Sequence, residues 1–304
     1  MRWDDNLIWD QPIGRDGIGV GWSQANDAIA LGTFEFNNIL SNDKRSPIKQ
    51  DKWNDASAGI NRQFANFFTS VATPTAEADP TGLNFFTYTD RQIYRTTDGA
   101  ASWTEIGHTN LCTTSSCVPS PSPGIGKNRR FRDVPRGIGV SPAADGLNHV
   151  AVTCSSSWVV VTHDGGNTWH QTFLGLGGGP VANWQGFNSS AEWADDNTLY
   201  IGSESTNSGS SHIAKSTDGG LTFVESDNGV PDVPVNRVLV STTDKNTVYA
   251  ATVLGVYRST DGGANWSRFG AGLPFVEVRD LYMPPDGSFL RAATYGRGVW
   301  QIQP

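Results

Sequence analysis

The chain has 304 residues, of which 37% are hydrophobic and only 17% charged, and its formal net charge is −8. This size suits one large all-β domain, and 34 glycines with 11 tryptophans argue against a disordered or helical chain. The acidic balance argues against a nucleic-acid partner, and no apolar run approaches the ~20 residues that a membrane span needs.

The N-terminal residues and the cysteines bear on the cellular location. Met1 to Asp5 are not followed by the apolar stretch of a secretion signal, so we expect an extracellular or periplasmic protein whose signal peptide has been removed. Cys112 and Cys117 flank a short loop that a disulfide could close, whereas Cys154 has the pattern of a buried strand residue. Three cysteines do not fix a pairing, and three free thiols are the alternative.

One turn recurs four times along the chain, in the strings YRTTDGAASWTEIG, VVTHDGGNTWHQT, IAKSTDGGLTFVES and VYRSTDGGANWSRFG. Its aspartates are Asp98, Asp164, Asp218 and Asp261. The Asp and the preceding Ser or Thr can accept hydrogen bonds from backbone N–H groups of the turn, and the glycines supply a positive φ. The closing aromatic is expected to bury its ring between adjacent sheets. These aspartates are therefore predicted to be structural residues and not catalysts.

The repeated turn resembles the Asp box, or BNR repeat, of sialidase-like β-propellers. Related propellers occur in xyloglucan-cleaving glycoside hydrolases, sortilin-type receptors and photosystem assembly factors. The resemblance covers residues 85–304 directly and the first 80 residues only loosely. It implies a propeller fold, and it leaves activity open because the family includes enzymes, lectin-like modules and receptors.

Counting strands predicts one all-β propeller domain over residues 1–304, with four-stranded antiparallel blades. Blades are expected near 230–270, 181–226, 132–173 and 64–107, with a degenerate one over 18–54 whose damaged box ends at Trp53. The last blade has three strands before the chain ends, and the segment NLIWD is expected to complete it and remove the free sheet edges. This gives six blades.

The resemblance implies that a ligand site lies opposite the boxes, on the face formed by the loops between blades. Five of these segments carry an arginine near the start of the innermost strand, and the fourth blade has Trp184 instead; the arginines are Arg15, Arg62, Arg136, Arg237 and Arg279. Converging guanidiniums would form an anion site. The alternative is structural pairing with nearby acids such as Asp16, Asp133 and Asp280.

Two further features would add to such a site. The long loop 108–131 carries a basic run that leads into Arg136, and it could act as a lid or simply be a solvated loop; the run is Lys127, Arg129, Arg130 and Arg132. Trp184 and Trp22 could be sugar-stacking platforms, with a place in the core as the alternative for either.

Catalytic patterns are weak. A sialidase would need an arginine triad, a tyrosine–glutamate pair and an Arg-Ile-Pro motif that is missing here, so Tyr295 and Glu277 carry no firm assignment. A glycosidase needs two carboxyl groups across the scissile bond, and no pair stands out among Asp133, Glu192, Asp195, Asp196, Asp232, Glu277 and Asp280. The xyloglucanase-type enzymes normally use two propellers, whereas this chain has room for one. The five histidines show no metal-ligand spacing, and we expect neither a metal nor a cofactor.

The sequence therefore predicts an exported, glycan-active or glycan-binding propeller with its site at the mouth of the central channel. Its partner would be a neutral or anionic carbohydrate. The alternative is a non-catalytic propeller that binds a protein or an anionic polymer through the same face. An enzyme should show two facing carboxyl groups there, and a binding module should show arginines and aromatics without such a pair.

Overall fold

The computed structural model describes residues 2–3, 9–10, 18–26, 28–42, 53–108, 134–175, 179–181 and 183–304. Within these ranges the chain forms seven antiparallel sheets, of which five have four strands and one has three, and these six are the blades of a propeller. The predicted fold and blade count are confirmed. The helices of the described part are short 3₁₀ turns such as Arg62–Phe64 and Gly146–Asn148, and none has the length and apolarity needed to cross a membrane.

The strands of each blade follow one another in sequence, from the channel outwards. Blades 1 to 3 consist of Val20–Trp22, Ala30–Phe34, Asn38–Asn42 and Trp53–Asp55; of Val71–Ala72, Phe85–Tyr88, Gln92–Thr96 and Thr104–His108; and of Pro135–Val140, Val150–Cys154, Trp158–Thr162 and His170–Phe173. Blades 4 to 6 consist of Asn188–Trp193, Leu199–Ser203, Ile213–Ser216 and Val224–Glu225; of Val235–Val240, Val248–Thr252, Gly255–Ser259 and Ser267–Phe269; and of Val278–Tyr282, Leu290–Thr294 and Gly298–Ile302.

The core lies between the blades. Second strands such as Val150–Cys154 and Val248–Thr252 are buried along their whole length, which explains their continuous apolar and small residues, and Cys154 is a buried free thiol. First strands of neighbouring blades contact each other around the channel. At Gly139 a Cβ atom would lie 2.4 Å from the carbonyl oxygen of Ala191, so only glycine permits this approach.

The four repeated turns join third to fourth strands and lie on one face, which we call the turn face. Their glycine N–H groups donate to carbonyls of the loops between first and second strands, as Gly165 does to Asn148 and Gly262 to Asn246. The aspartates bind within their own turns: Asp164 Oδ1 accepts from the N–H of Thr168 at 2.8 Å, and Asp164 Oδ2 from its hydroxyl at 2.6 Å. The predicted hydrogen bonds of the turn are confirmed.

The closing aromatics connect neighbouring blades, as predicted. Three indole nitrogens donate to backbone carbonyls of the preceding blade: Trp103 to Ala56, Trp169 to Ile106 and Trp266 to Ser226. The fourth aromatic residue, Phe223, is buried, but its phenyl side chain has no N–H to donate. At that junction the hydroxyl of Thr172 instead donates to the carbonyl of Gly220 at 3.0 Å.

The N-terminal segment differs from expectation. Trp9–Asp10 pairs with Arg2–Trp3 in a separate two-stranded sheet, and the last blade has three strands among the described residues. The predicted pairing of NLIWD with the last blade is therefore not found for the described part of that segment. The pair Cys112–Cys117, the damaged box and the basic run of loop 108–131 lie outside the described residues.

Candidate functional site

The loops between blades and the turns between second and third strands form the opposite face, which we call the inter-blade face. Backbone hydrogen bonds tie these two sets of loops together, from Phe187 to Ser155, from Glu204 to Phe187 and from Tyr295 to Glu277. Each first strand begins here, so side chains at strand starts surround the mouth of the channel. This mouth is the candidate site.

Four of the five predicted arginines are described, and each contacts a carboxylate. Arg136 contacts Glu204 at 2.8 Å, Arg279 contacts Glu277 at 2.9 Å, Arg237 contacts Glu192 at 3.0 Å and Arg62 contacts Asp55 at 3.4 Å. These contacts are of the kind expected from structural pairing, the alternative that the sequence left open, and none of the four guanidiniums is without a carboxylate. Arg15, with Asp16 and Asp133, lies outside the described residues.

The arginines also occupy different positions relative to the sheet. Arg62 lies in the 3₁₀ turn Arg62–Phe64 and not in a first strand. The first strands of blades 3, 5 and 6 each carry a β-bulge near the start, and Arg136 and Arg279 are bulged residues. In blade 5 the bulged residue is Asn236, and Arg237 comes one position later. Since a one-residue shift sends a strand side chain to the other face, Arg237 points in a different direction from the other two.

Arg237 instead connects three first strands. Its Nη2 lies 3.0 Å from Glu192 Oε2 on blade 4, and its Nε lies 3.9 Å from Asp280 Oδ1 on blade 6. Burial raises the pKa of Glu192, and the charge of Arg237 opposes that shift. Together with the Arg136 and Arg279 pairs, three guanidiniums meet four carboxylates. At the described mouth the Arg136–Glu204 and Arg279–Glu277 pairs balance their own charges, whereas Glu192 lies deeper in the channel, near the other end of its strand.

Exposed aromatic rings lie beside two of these ion pairs. Phe187 is 49% exposed and Tyr295 is 71% exposed. The carbonyl of Phe187 accepts from the N–H of Glu204, the partner of Arg136. The guanidinium of Arg279 lies 5.5 Å from the centre of the Tyr295 ring. Blade 6 thus presents an aromatic ring next to an arginine–glutamate pair, and at blades 3/4 the backbone of the exposed Phe187 is bonded to the glutamate of such a pair.

Trp184 is a core residue and not a sugar platform. It is fully buried, its Nε1 donates to Asn188 Oδ1 at 2.8 Å, and Asn188 in turn donates to the carbonyl of Trp158 at 2.9 Å. Trp184 therefore occupies the core position that the sequence left as the alternative. Trp22 is half-exposed on the first strand of blade 1, near the turn face.

The predicted carboxylates are scattered. Asp195 and Asp196 lie on the turn face, where they bind Lys245 and Ser141. Asp232 lies on the inter-blade face and accepts from His212 and the N–H of Gly209. Glu277 and Asp280 lie near the mouth and Glu192 lies towards the far end of its first strand, and each has an arginine nitrogen within 3.9 Å.

Two histidines that sequence spacing did not connect meet at the turn face. The Nδ1 atoms of His149 and His163 are 2.8 Å apart, which requires one of them to donate and the other to accept. Burial, followed by the charge of His149, lowers the pKa of His163. Among the residues that the structure describes, no group of three or more His, Cys, Asp or Glu side chains has the arrangement to hold a metal ion.

No protein-family model and no curated protein matches this sequence. Solved structures match the fold. An ancestral GH74 enzyme superposes with a TM-score of 0.65 over 95% of this chain at 14% identity. YCF48 bound to D1 peptide gives 0.56 over 95% at 13% identity, and U3-55K gives 0.64 over 96% at 9% identity.

These likenesses establish a propeller and no more. The chain spans 36% of the length of the ancestral GH74 enzyme, 77% of that of YCF48 and 79% of that of U3-55K. The neighbours thus include a glycoside hydrolase and propellers of other kinds. The function has to be argued from the mouth itself.

Proposed function

We propose that the chain is a non-catalytic, glycan-binding propeller that holds a neutral carbohydrate at the mouth of its inter-blade face. The observation that carries the proposal is that two exposed aromatic residues contact ion pairs: the Tyr295 ring lies beside Arg279–Glu277, and the Phe187 carbonyl accepts from the N–H of Glu204, the partner of Arg136. Aromatic faces accept the apolar faces of sugar rings. Paired charged groups offer fixed donors and acceptors for the hydroxyls.

A neutral ligand is favoured over an anionic one. The guanidiniums of Arg136, Arg237 and Arg279 each lie 2.8 to 3.0 Å from a carboxylate, so an incoming anion would have to displace a carboxylate that is already ion-paired. Sugar hydroxyls require no such displacement. Binding should therefore be insensitive to ionic strength.

Binding without hydrolysis is favoured by the same pairs. A glycosidase needs one carboxyl group that donates a proton and a second that acts as nucleophile or base. In the described mouth, Glu204 and Glu277 are each ion-paired to an arginine, and so is Glu192 deeper in the channel. An exported protein whose ligand is an extracellular or periplasmic glycan fits this proposal.

The test is a binding panel of neutral, uronic, sulfated and sialylated glycans, with reducing-end release assayed in parallel. Phe187→Ala and Tyr295→Ala should each weaken binding of a neutral glycan by about tenfold. Leu221→Ala, which removes a similarly exposed apolar side chain on the turn face, is the matched control. Reducing-end release, or binding only to charged glycans, would contradict the proposal.

A second candidate is the recognition of a polypeptide through the same face. It is supported by the exposed phenylalanines of this face, which are Phe36, Phe67, Phe68 and Phe187, since exposed aromatic patches are typical of protein-binding surfaces. The likeness to YCF48 bound to D1 peptide also supports it. A chain that binds no glycan in the panel would turn the search to protein partners.

A further inference from the structure

Three phenylalanines form a corner on the inter-blade face at the junction of blades 1 and 2. Phe36 is 53% exposed, Phe67 44% and Phe68 64%. The ring centres of Phe36 and Phe67 lie 5.3 Å apart at an interplanar angle of 88°, and those of Phe67 and Phe68 lie 5.1 Å apart at 75°. We call this group the phenylalanine corner. Its rings pack on one another and leave their outer surfaces in water.

The backbone at Phe36 is in an unfavourable conformation. Phe36 has φ +61° and Asn37 has φ +55°, so the two residues form the left-handed pair of a tight hairpin turn between Ala30–Phe34 and Asn38–Asn42. Asparagine tolerates this region, whereas a bulky aromatic residue is strained there. The turn geometry gives no reason for an aromatic ring at this position, and strained residues that expose a side chain are concentrated at binding sites.

A buried asparagine fixes the corner. The Asn37 N–H donates to the Thr69 hydroxyl at 2.8 Å, its Nδ2 donates to the carbonyl of Tyr88 at 2.8 Å, and its Oδ1 accepts from the N–H of Asn66 at 2.6 Å. These bonds fasten the turn that carries Phe36 to the loop that carries Phe67 and Phe68. The three rings are therefore held in place before any ligand arrives.

The corner shares its backbone signature with the mouth. Among the described non-glycine residues with positive φ, the two with large apolar side chains are Phe36 and Phe187, and both are about half-exposed on the inter-blade face. Contacts also connect the two places. Asn66, next to Phe67, donates from Nδ2 to the carbonyl of Pro135, which precedes Arg136, the partner of Glu204.

We propose that the phenylalanine corner is a second stacking site of the same ligand, and that the ligand is therefore an extended, neutral polysaccharide chain that runs from the rings at the mouth to the corner. This inference rests on the proposed function. It commits to a glycan because the corner is continuous with the mouth through the Asn66–Pro135 and Arg136–Glu204 contacts. The exposed charged pair of the same junction, Arg62 and Asp55, is neutral overall.

Chain length provides the test. Binding of linear β-1,4-gluco-oligosaccharides and β-1,4-xylo-oligosaccharides of two to eight residues is measured by calorimetry for the full chain. For the wild-type protein, affinity should rise with the length of the oligosaccharide and level off once the oligosaccharide is long enough to reach the phenylalanine corner. Phe36→Asn removes the ring and suits the left-handed turn, so it should lower the affinity for the long oligosaccharides by about tenfold and leave the short ones unchanged. Leu221→Ala should change neither.

Each outcome separates the two proposals. If affinity depends on oligosaccharide length in the same way in Phe36→Asn and in the wild type, the second stacking site is overturned and the proposed function is left intact. Failure of the wild type to bind any oligosaccharide, or the capture of a protein through these rings, would overturn both. Phe67→Ala gives an independent reading of the corner. The melting temperature of Phe36→Asn should rise because strain is relieved, and a fall would identify Phe36 as a structural residue.

Discussion

The indole nitrogen of Trp266 in blade 5 donates to the carbonyl oxygen of Ser226 at the end of blade 4, 2.7 Å away and buried. One residue thus closes its own turn and holds two blades together. The same donor–carbonyl relationship recurs at Trp103 with Ala56 and at Trp169 with Ile106.

Trp266→Phe retains an aromatic ring at this buried position but removes the indole N–H. The carbonyl of Ser226 therefore loses its buried hydrogen-bond donor. We expect a loss of about 1–3 kcal/mol in the free energy of unfolding, measured by denaturant unfolding. Trp300→Phe is the matched control, because the Trp300 indole also donates to a carbonyl, that of Arg297, but at an exposed position. Equal losses in the two variants would contradict a role for the bond between blades.

The turn aspartates should make stability depend on pH in acid. A hydrogen bond from the Thr168 side chain lowers the pKa of Asp164 to about 2, and one from the Asn265 side chain lowers the pKa of Asp261 to about 2. A carboxyl group with a depressed pKa stabilises the native state above its unfolded pKa of about 3.8, and this contribution is lost as the pH falls towards 2. The melting temperature should therefore drop over this interval, and Asp164→Asn should flatten the drop.

A buried acid should have the opposite effect at higher pH. Burial raises the pKa of Asp227, and the neighbouring Glu225 carboxylate adds to the shift. Because the native state holds this proton more tightly than the unfolded chain, stability declines as the pH rises above the ordinary value of 3.8 through the raised pKa. Asp227→Asn can still accept the hydrogen bond that the N–H of His212 donates, and it should raise the melting temperature at pH 8 more than at pH 4.

The control for this effect is Asp286→Asn. A side-chain hydrogen bond from Ser288 lowers the pKa of Asp286, so this variant should change the pH dependence only in acid. A melting temperature of Asp227→Asn that differs from that of the wild type by the same amount at both pH values would contradict the assigned titration.

The pair of Arg237 and Glu192 can be tested by a double-mutant cycle. Arg237→Met leaves Glu192 without its partner in a half-buried position, and we expect a loss of about 1–3 kcal/mol, below the range for fully buried pairs because both side chains retain solvent contact. Adding Glu192→Gln should recover most of the loss. A double variant as unstable as Arg237→Met alone would show that the arginine acts through packing and not through charge.

The sequence predicted the blades because each repeated turn marks a fixed point between third and fourth strands. Asp98, Asp164, Asp218 and Asp261 lie in turns between third and fourth strands as the pattern predicted, and the predicted blade limits agree with the strands to within seven residues. The conformation of such a turn is determined by a few adjacent residues, so it can be predicted from a single sequence.

The site was harder to predict because it depends on register and backbone conformation. Arg136 and Arg237 look equivalent in sequence, but they differ in position relative to the β-bulge. Arg136 is itself the bulged residue of its strand, whereas Arg237 follows the bulged residue Asn236. Trp184 lies in a loop segment but is buried against Asn188. Phe36 and Phe187 carry no sequence signal, and their positive φ angles and exposure are seen only in the structure.

The indole bonds between blades all lie on the turn face. The ring of blades therefore does not depend on the loops of the opposite side for these links, and those loops are free to change in length and composition. Blade 4 already illustrates this: its second-to-third-strand loop runs over residues 204–212, whereas the corresponding turn of blade 5 needs only residues 253–254. The turn face holds the blades together, so the loops of the inter-blade face can acquire new binding specificities by insertion or substitution while the contacts between blades are retained.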